Sequence, residues 1–275
     1  MPEAFGGETA ESYYDEGLTA AVKGDLNKAV AFFQKAIRLD NTMATAYHQL
    51  GRCYSRLGQH KKAISLLSQV VQKRPDLVAA RLDLGHALCG LGELEGARRQ
   101  FEAVINADAT NTKALLGLSE VDSVGGNWER ALLFAQRAEL AGGNNYTALF
   151  QVGRAAKHMG QADLSVRTLT RADKLIEKYL ETNPEKPEGH YLRGEVASAM
   201  ENNVAALQHY REAERFAQPD RGYLAYGESF RLADVLVKQA QCIMRLGRAK
   251  EARAIADRVA ALDPEHPALT ALKAE

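Results

Sequence analysis

YHQLGRCYSRLGQHKKAISLLSQVVQKRP, residues 47–75, decides the fold. Tyr47, Leu50, Gly51 and Tyr54 fall at i, i+3, i+4 and i+7, which is one face of a helix. Gly58 then breaks the periodicity. Ala63, Leu67 and Val70 make a second apolar face, and Pro75 ends it because proline cannot continue a helix interior. Small residues at Gly51 and Ala63 let two antiparallel helices approach closely. A large side chain at either position would wedge them apart.

The same unit recurs in both directions along the chain. Gly17, Gly51, Gly85, Ser119 and Gly153 are spaced 34 residues apart. Ala29, Ala63, Ala97, Ala131 and Ser165 follow with the same period, as do Ala36, Val70, Val104, Ala138 and Ala172, and Gly24, Gly58, Gly92, Gly126 and Gly160. Four ladders in register over five units define a repeat array. Two later units have displaced spacing. Gly194, Ala206, Tyr210 and Ala213 mark one; Ala240, Gly247, Ala252 and Val259 mark the other.

This pattern resembles the tetratricopeptide repeat, whose signature is a bulky residue, Leu-Gly, Tyr, Gly, Ala, an aromatic, Ala and Pro at fixed spacing. Residues 47–75 supply Tyr47, Leu50-Gly51, Tyr54, Gly58, Ala63, Leu67, Val70 and Pro75. The unit before supplies Tyr13, Gly17, Gly24, Ala29, Phe33 and Ala36; the unit after supplies Leu84-Gly85, Leu88, Gly92, Ala97, Phe101 and Val104. The resemblance implies an all-α, right-handed superhelical solenoid of antiparallel helix pairs, with seven repeats and a C-terminal capping helix. The expected boundaries are a disordered tail at 1–9, repeats at 10–43, 44–77, 78–111, 112–145, 146–186, 187–232 and 233–266, and a cap at 267–275 that begins at Pro267. Repeat five carries a lengthened second helix through Leu175, Ile176, Tyr179 and Leu180. Repeat six is followed by an insertion, and the first helix of repeat seven is expected to run from about Tyr223 to Leu246.

Composition narrows the function. Lys+Arg and Asp+Glu are each 35, a formal net charge of +0, which disfavours nucleic-acid binding by counterion displacement. Three cysteines, Cys53, Cys89 and Cys242, are no disulfide framework and suit a reducing compartment. No run of apolar residues is long enough to span a membrane. The first residues have neither a basic start nor an apolar leader-like stretch, so the expected compartment is the cytoplasm; a chain trimmed of a leader would read the same. No phosphate loop, His-Glu-x-x-His, Cys-x-x-Cys or Gly-x-Ser-x-Gly motif occurs, and neither a catalytic residue nor a cofactor is expected. His86 and Cys89 share a helix face near His48 and Glu120, but the simpler reading is polar and semi-buried face residues rather than metal ligands.

In such a fold the first helix of each unit lines the concave face, which is the expected binding surface. The positions that face it are Tyr14, His48, Arg52, Leu82, His86, Lys113, Leu116, Phe150, Arg154, Lys157 and Tyr191. Arg52, Lys113, Arg154 and Lys157 form a basic stripe; Tyr14, Leu82, Leu116, Phe150 and Tyr191 form an apolar one. The expected occupant is an extended or helical protein segment with apolar anchors and some acidic character. The two-carboxylate clamp by which some relatives grip chaperone tails is not matched: its positions hold Tyr14, Leu18, Gln49, Ala79 and Asp83, or one repeat later His48, Arg52, Asp83, Lys113 and Gly117. The asparagine ladder of sugar-transferase relatives is replaced by Asp15, Gln49, Asp83, Gly117 and Gln151. The reading is a non-catalytic protein-interaction scaffold. The alternative is a regulatory or recognition subunit of a separately encoded enzyme, and a helical-repeat nucleic-acid binder ranks below both. The sequence leaves the oligomeric state open.

Overall fold

The computed structural model describes residues 9–143, 145–219, 221–225 and 228–274. The expected tail over 1–8 lies outside them. Thr9, expected in the tail, is instead the N-cap of the first helix: its hydroxyl accepts from Ser12 N–H at 3.1 Å, and Ser12 Oγ accepts from Thr9 N–H at 3.0 Å.

The chain divides into two compact units, 1–109 and 110–275. The first contains α1 (Ala10–Lys23), α2 (Leu26–Leu39), α3 (Ala44–Arg56), α4 (His60–Lys73), α5 (Val78–Leu91) and α6 (Leu94–Ala107). The second contains α7 (Thr112–Val124), α8 (Trp128–Gly142), α9 (Tyr146–His158), α10 (Ala162–Thr182), α11 (Pro187–Ala199), α12 (Asn203–Phe216), β1 (Tyr223–Ala225), β2 (Glu228–Phe230), α13 (Leu232–Arg245), α14 (Ala249–Leu262) and α15 (Leu269–Ala274). Within each unit consecutive helices pack on one another, as short turns require. Among the described residues the fold is an all-α repeat solenoid apart from one small hairpin.

Five helix pairs each close on one glycine. A Cβ on Gly17 would lie 2.6 Å from the Phe33 ring, on Gly51 2.8 Å from Leu67, and on Gly85 2.6 Å from Phe101. In the second unit the same clash joins Gly153 to Leu169 and Gly194 to Tyr210. The partner always lies sixteen residues on, so one packing solution is reused. At Ser119 the hydroxyl fits because it donates to Ala131 O at 2.9 Å.

Helix α10 runs 21 residues, and its extra turns bury Ile176 and press Leu180 against Gly189 of α11. The helix expected from Tyr223 does not form. Tyr223–Ala225 and Glu228–Phe230 pair antiparallel, with Tyr223 opposite Phe230. Tyr223 and Ala225, two residues apart, are both buried on the side of Phe230, which is a strand's period. The helix starts only at Leu232, where Asp234 reaches back to accept from Arg231 N–H at 2.7 Å. The expected start of the cap at Pro267 likewise moves to Leu269.

Candidate partner-binding face and cavity

In the first unit the facing residues of α3 and α5 are tied to one another. His48 is buried and its Nε2 lies 2.7 Å from Asp83 Oδ2; Arg52 Nε lies 3.4 Å from the same oxygen. Asp83 therefore matches the charge of Arg52. Leu82 is buried, His86 is half-buried with its ring edge-on to Phe101 at 5.1 Å, and Tyr14 is half-buried against Phe33 at 5.7 Å.

In the second unit two of the three expected cations, Arg154 and Lys157, are also paired. Arg154 donates to Glu120 at 2.5 Å and its guanidinium lies 5.6 Å from the Phe150 ring centre. Lys157 donates to Ala199 O at 2.7 Å and pairs with Glu201 at 2.8 Å. Lys113 is exposed and Leu116 half-buried. Phe150 and Tyr191 are largely buried in inter-helix packing, because the helices of this face approach closely. Arg52, Arg154 and Lys157 of the basic stripe thus carry their own counter-charges, and most of the apolar stripe is core.

Sequence reasoning missed what these residues enclose. A cavity of about 290 Å³ opens between α7, α9, α11, α13 and the hairpin. Its apolar wall is Phe150, Tyr191 and Phe230, the last two stacked at 4.1 Å and 10°. Its polar wall holds Glu120, Arg154, Glu195 and Lys238, with Gln151 also among the lining residues. Lys238 Nζ sits 2.9 Å from Glu195 Oε1, and Tyr210 donates to that oxygen at 2.5 Å. Burial and then the Glu195 charge raise the Tyr210 hydroxyl well above its ordinary range, so it stays a donor. Asp234 closes one end. Burial pushes its carboxyl up, but the His266 ring at 3.0 Å and the Arg231 N–H and guanidinium outweigh this and hold it below the usual value. Gln151 is 3% exposed and its Oε1 accepts no hydrogen bond.

No group of three or more His, Cys, Asp or Glu among the described residues stands where it could hold a metal. No helix among them is long and apolar enough to cross a membrane.

The fold and this first-helix face define a helical-repeat protein. Residues 23–76 and 56–114 match one tetratricopeptide repeat family and residues 234–266 a second; the chain is a tetratricopeptide repeat protein. It is 31% identical over 114 residues to the heat shock protein sti1 homolog of Schizosaccharomyces pombe, covering 42% of this chain and 19% of that protein. It is 23% identical over 269 residues to human DnaJ homolog subfamily C member 3, covering 92% of this chain and 52% of that one. The chain thus spans between about a fifth and a half of the length of these relatives. A tetratricopeptide repeat protein from Parabacteroides merdae has the same fold, with a TM-score of 0.62, 15% identity, and coverage of 97% of this chain and 98% of that one.

Proposed function

We propose that this chain is a non-catalytic interaction scaffold that holds a segment of a partner protein on the first-helix face of its repeats, centred in the second unit on the cavity beneath the hairpin. The observation that carries the reading is the cavity itself, an opening with an aromatic wall and polar groups at fixed positions. The relatives, two of them named for heat-shock and DnaJ proteins, support a role among proteins. In the first unit, taken by itself, the first helices α3 and α5 carry the His48–Asp83–Arg52 group.

The test begins with affinity capture and mass spectrometry to find partners, followed by binding kinetics on a plugged variant. Ser229→Trp fills the cavity from the hairpin side. The expected result is a Kd raised tenfold or more with the helical circular-dichroism spectrum unchanged. Unchanged affinity, with cross-links mapping to the second helices of the repeats, would overturn the reading.

A further inference from the structure

The hairpin lies outside the 34-residue period, and the cavity it helps to form has a chemistry that the repeat does not dictate. Gln151 lines it, 3% exposed, with an amide oxygen that accepts nothing. A buried acceptor without a donor costs stability until an N–H reaches it. Three carboxylates line the cavity, Glu120, Glu195 and Asp234, against two cations, Arg154 and Lys238, and Asp234 is held by Arg231 and His266. Both cations are already held, Arg154 by Glu120 and Lys238 by Glu195. An entering carboxylate would have to break one of these pairs. An entering N–H-bearing cation meets a waiting acceptor and a charge of opposite sign. The stacked Tyr191 and Phe230 rings offer an apolar wall along which an aliphatic stem can lie while its charged head reaches the polar end.

We infer that this cavity receives a basic side chain, an arginine or a lysine, from the partner's segment. This rests on the scaffold reading above and replaces the acidic occupant expected from the sequence. Counted as lone positions, Arg154 and Lys157 suggested a basic surface; with Glu120 and Glu201 beside them they do not.

The experiment pans a phage-displayed random heptapeptide library on the full chain and measures the enriched peptides, synthesised and labelled, by fluorescence anisotropy. Two variants accompany the unmodified protein. Gln151→Leu removes the waiting acceptor at nearly constant volume. Ser229→Lys places a resident ammonium at the cavity wall. Thermal melts verify that both are folded; Gln151→Leu should melt no lower than the parent, since the acceptor it deletes has no partner. The expected result is enrichment of Arg- or Lys-bearing peptides whose Kd rises at least fivefold in either variant. Enrichment of acidic or purely apolar peptides, or basic peptides indifferent to both variants, overturns the inference and leaves the scaffold reading standing. If no peptide is enriched while a captured protein partner is still lost in Ser229→Trp, the inference falls and the scaffold reading survives. If neither binds, both fall.

Discussion

At the scale of single residues the array is governed by two glycine ladders with different physics. Gly85 belongs to the close-approach ladder: a Cβ there would meet the buried Phe101 ring at 2.6 Å. Gly92 belongs to the turn ladder, with φ of +82° and nothing within 4 Å of an added Cβ. Gly85→Leu should therefore cost more than Gly92→Ala. Overpacking strains the core by about 1–3 kcal/mol or more for the first, whereas the second meets only the left-handed backbone penalty of about 1–2 kcal/mol. Urea denaturation of the two variants checks this; equal midpoints would mean that helices α5 and α6 do not close on Gly85. Both ladders were legible in the sequence because glycine spacing is periodic. Two departures were not. Glu201 takes the turn position of the sixth unit with φ of +61°, where the other units have glycine. The charge partners were also missed: Arg154 and Glu120 are 34 residues apart, one repeat, so periodicity made them neighbours on adjacent first helices. Reading each charge by its own position concealed the pair.

At the scale of elements, most of the fold could be read directly. Helix α10 was legible because its apolar face continues without a breaker through Ile176 to Leu180. The hairpin was not, because strands of three residues carry too little alternation to outweigh apolar residues that also fit a helix. Its importance lies in packing. Phe230 is 3% exposed, stacked on Tyr191 at 4.1 Å and on Tyr223 at 5.4 Å, within the cluster that also contains Tyr210 and Ile176. Phe230→Ala should lower stability by about 3–5 kcal/mol, the usual cost of emptying a buried aromatic site, and weaken the near-ultraviolet circular-dichroism signal of the tyrosines. Phe230→Leu should recover most of the stability without the ring stack. A loss below about 1 kcal/mol, the range of an ordinary surface change, would show that the hairpin is an ornament on the unit. The cavity would then have no fixed roof.

At the scale of the molecule, a repeat array transmits stability between neighbours rather than through one central core. The site's location was half legible for this reason. Helical spacing picked the face from Tyr14 to Tyr191, but only the three-dimensional meeting of α9, α11, α13 and the hairpin shows where it encloses volume. The same logic predicts how damage spreads. In Gly153→Leu the new side chain collides with Leu169 and with the Thr168 hydroxyl, both buried in α10. Native-state hydrogen exchange should show the largest loss of protection in α9 and α10, then α8 and α11, with α14 least affected, because each helix pair leans chiefly on its sequence neighbours. The chemistry of the cavity adds a second readout. Phe150, Gln151 and Arg154 all stand on α9, so its loosening should remove binding at the cavity before the unit as a whole unfolds. A uniform fall in protection from α7 to α14, with binding lost only as the whole unit melts, would mean that the second unit behaves as a single cooperative core.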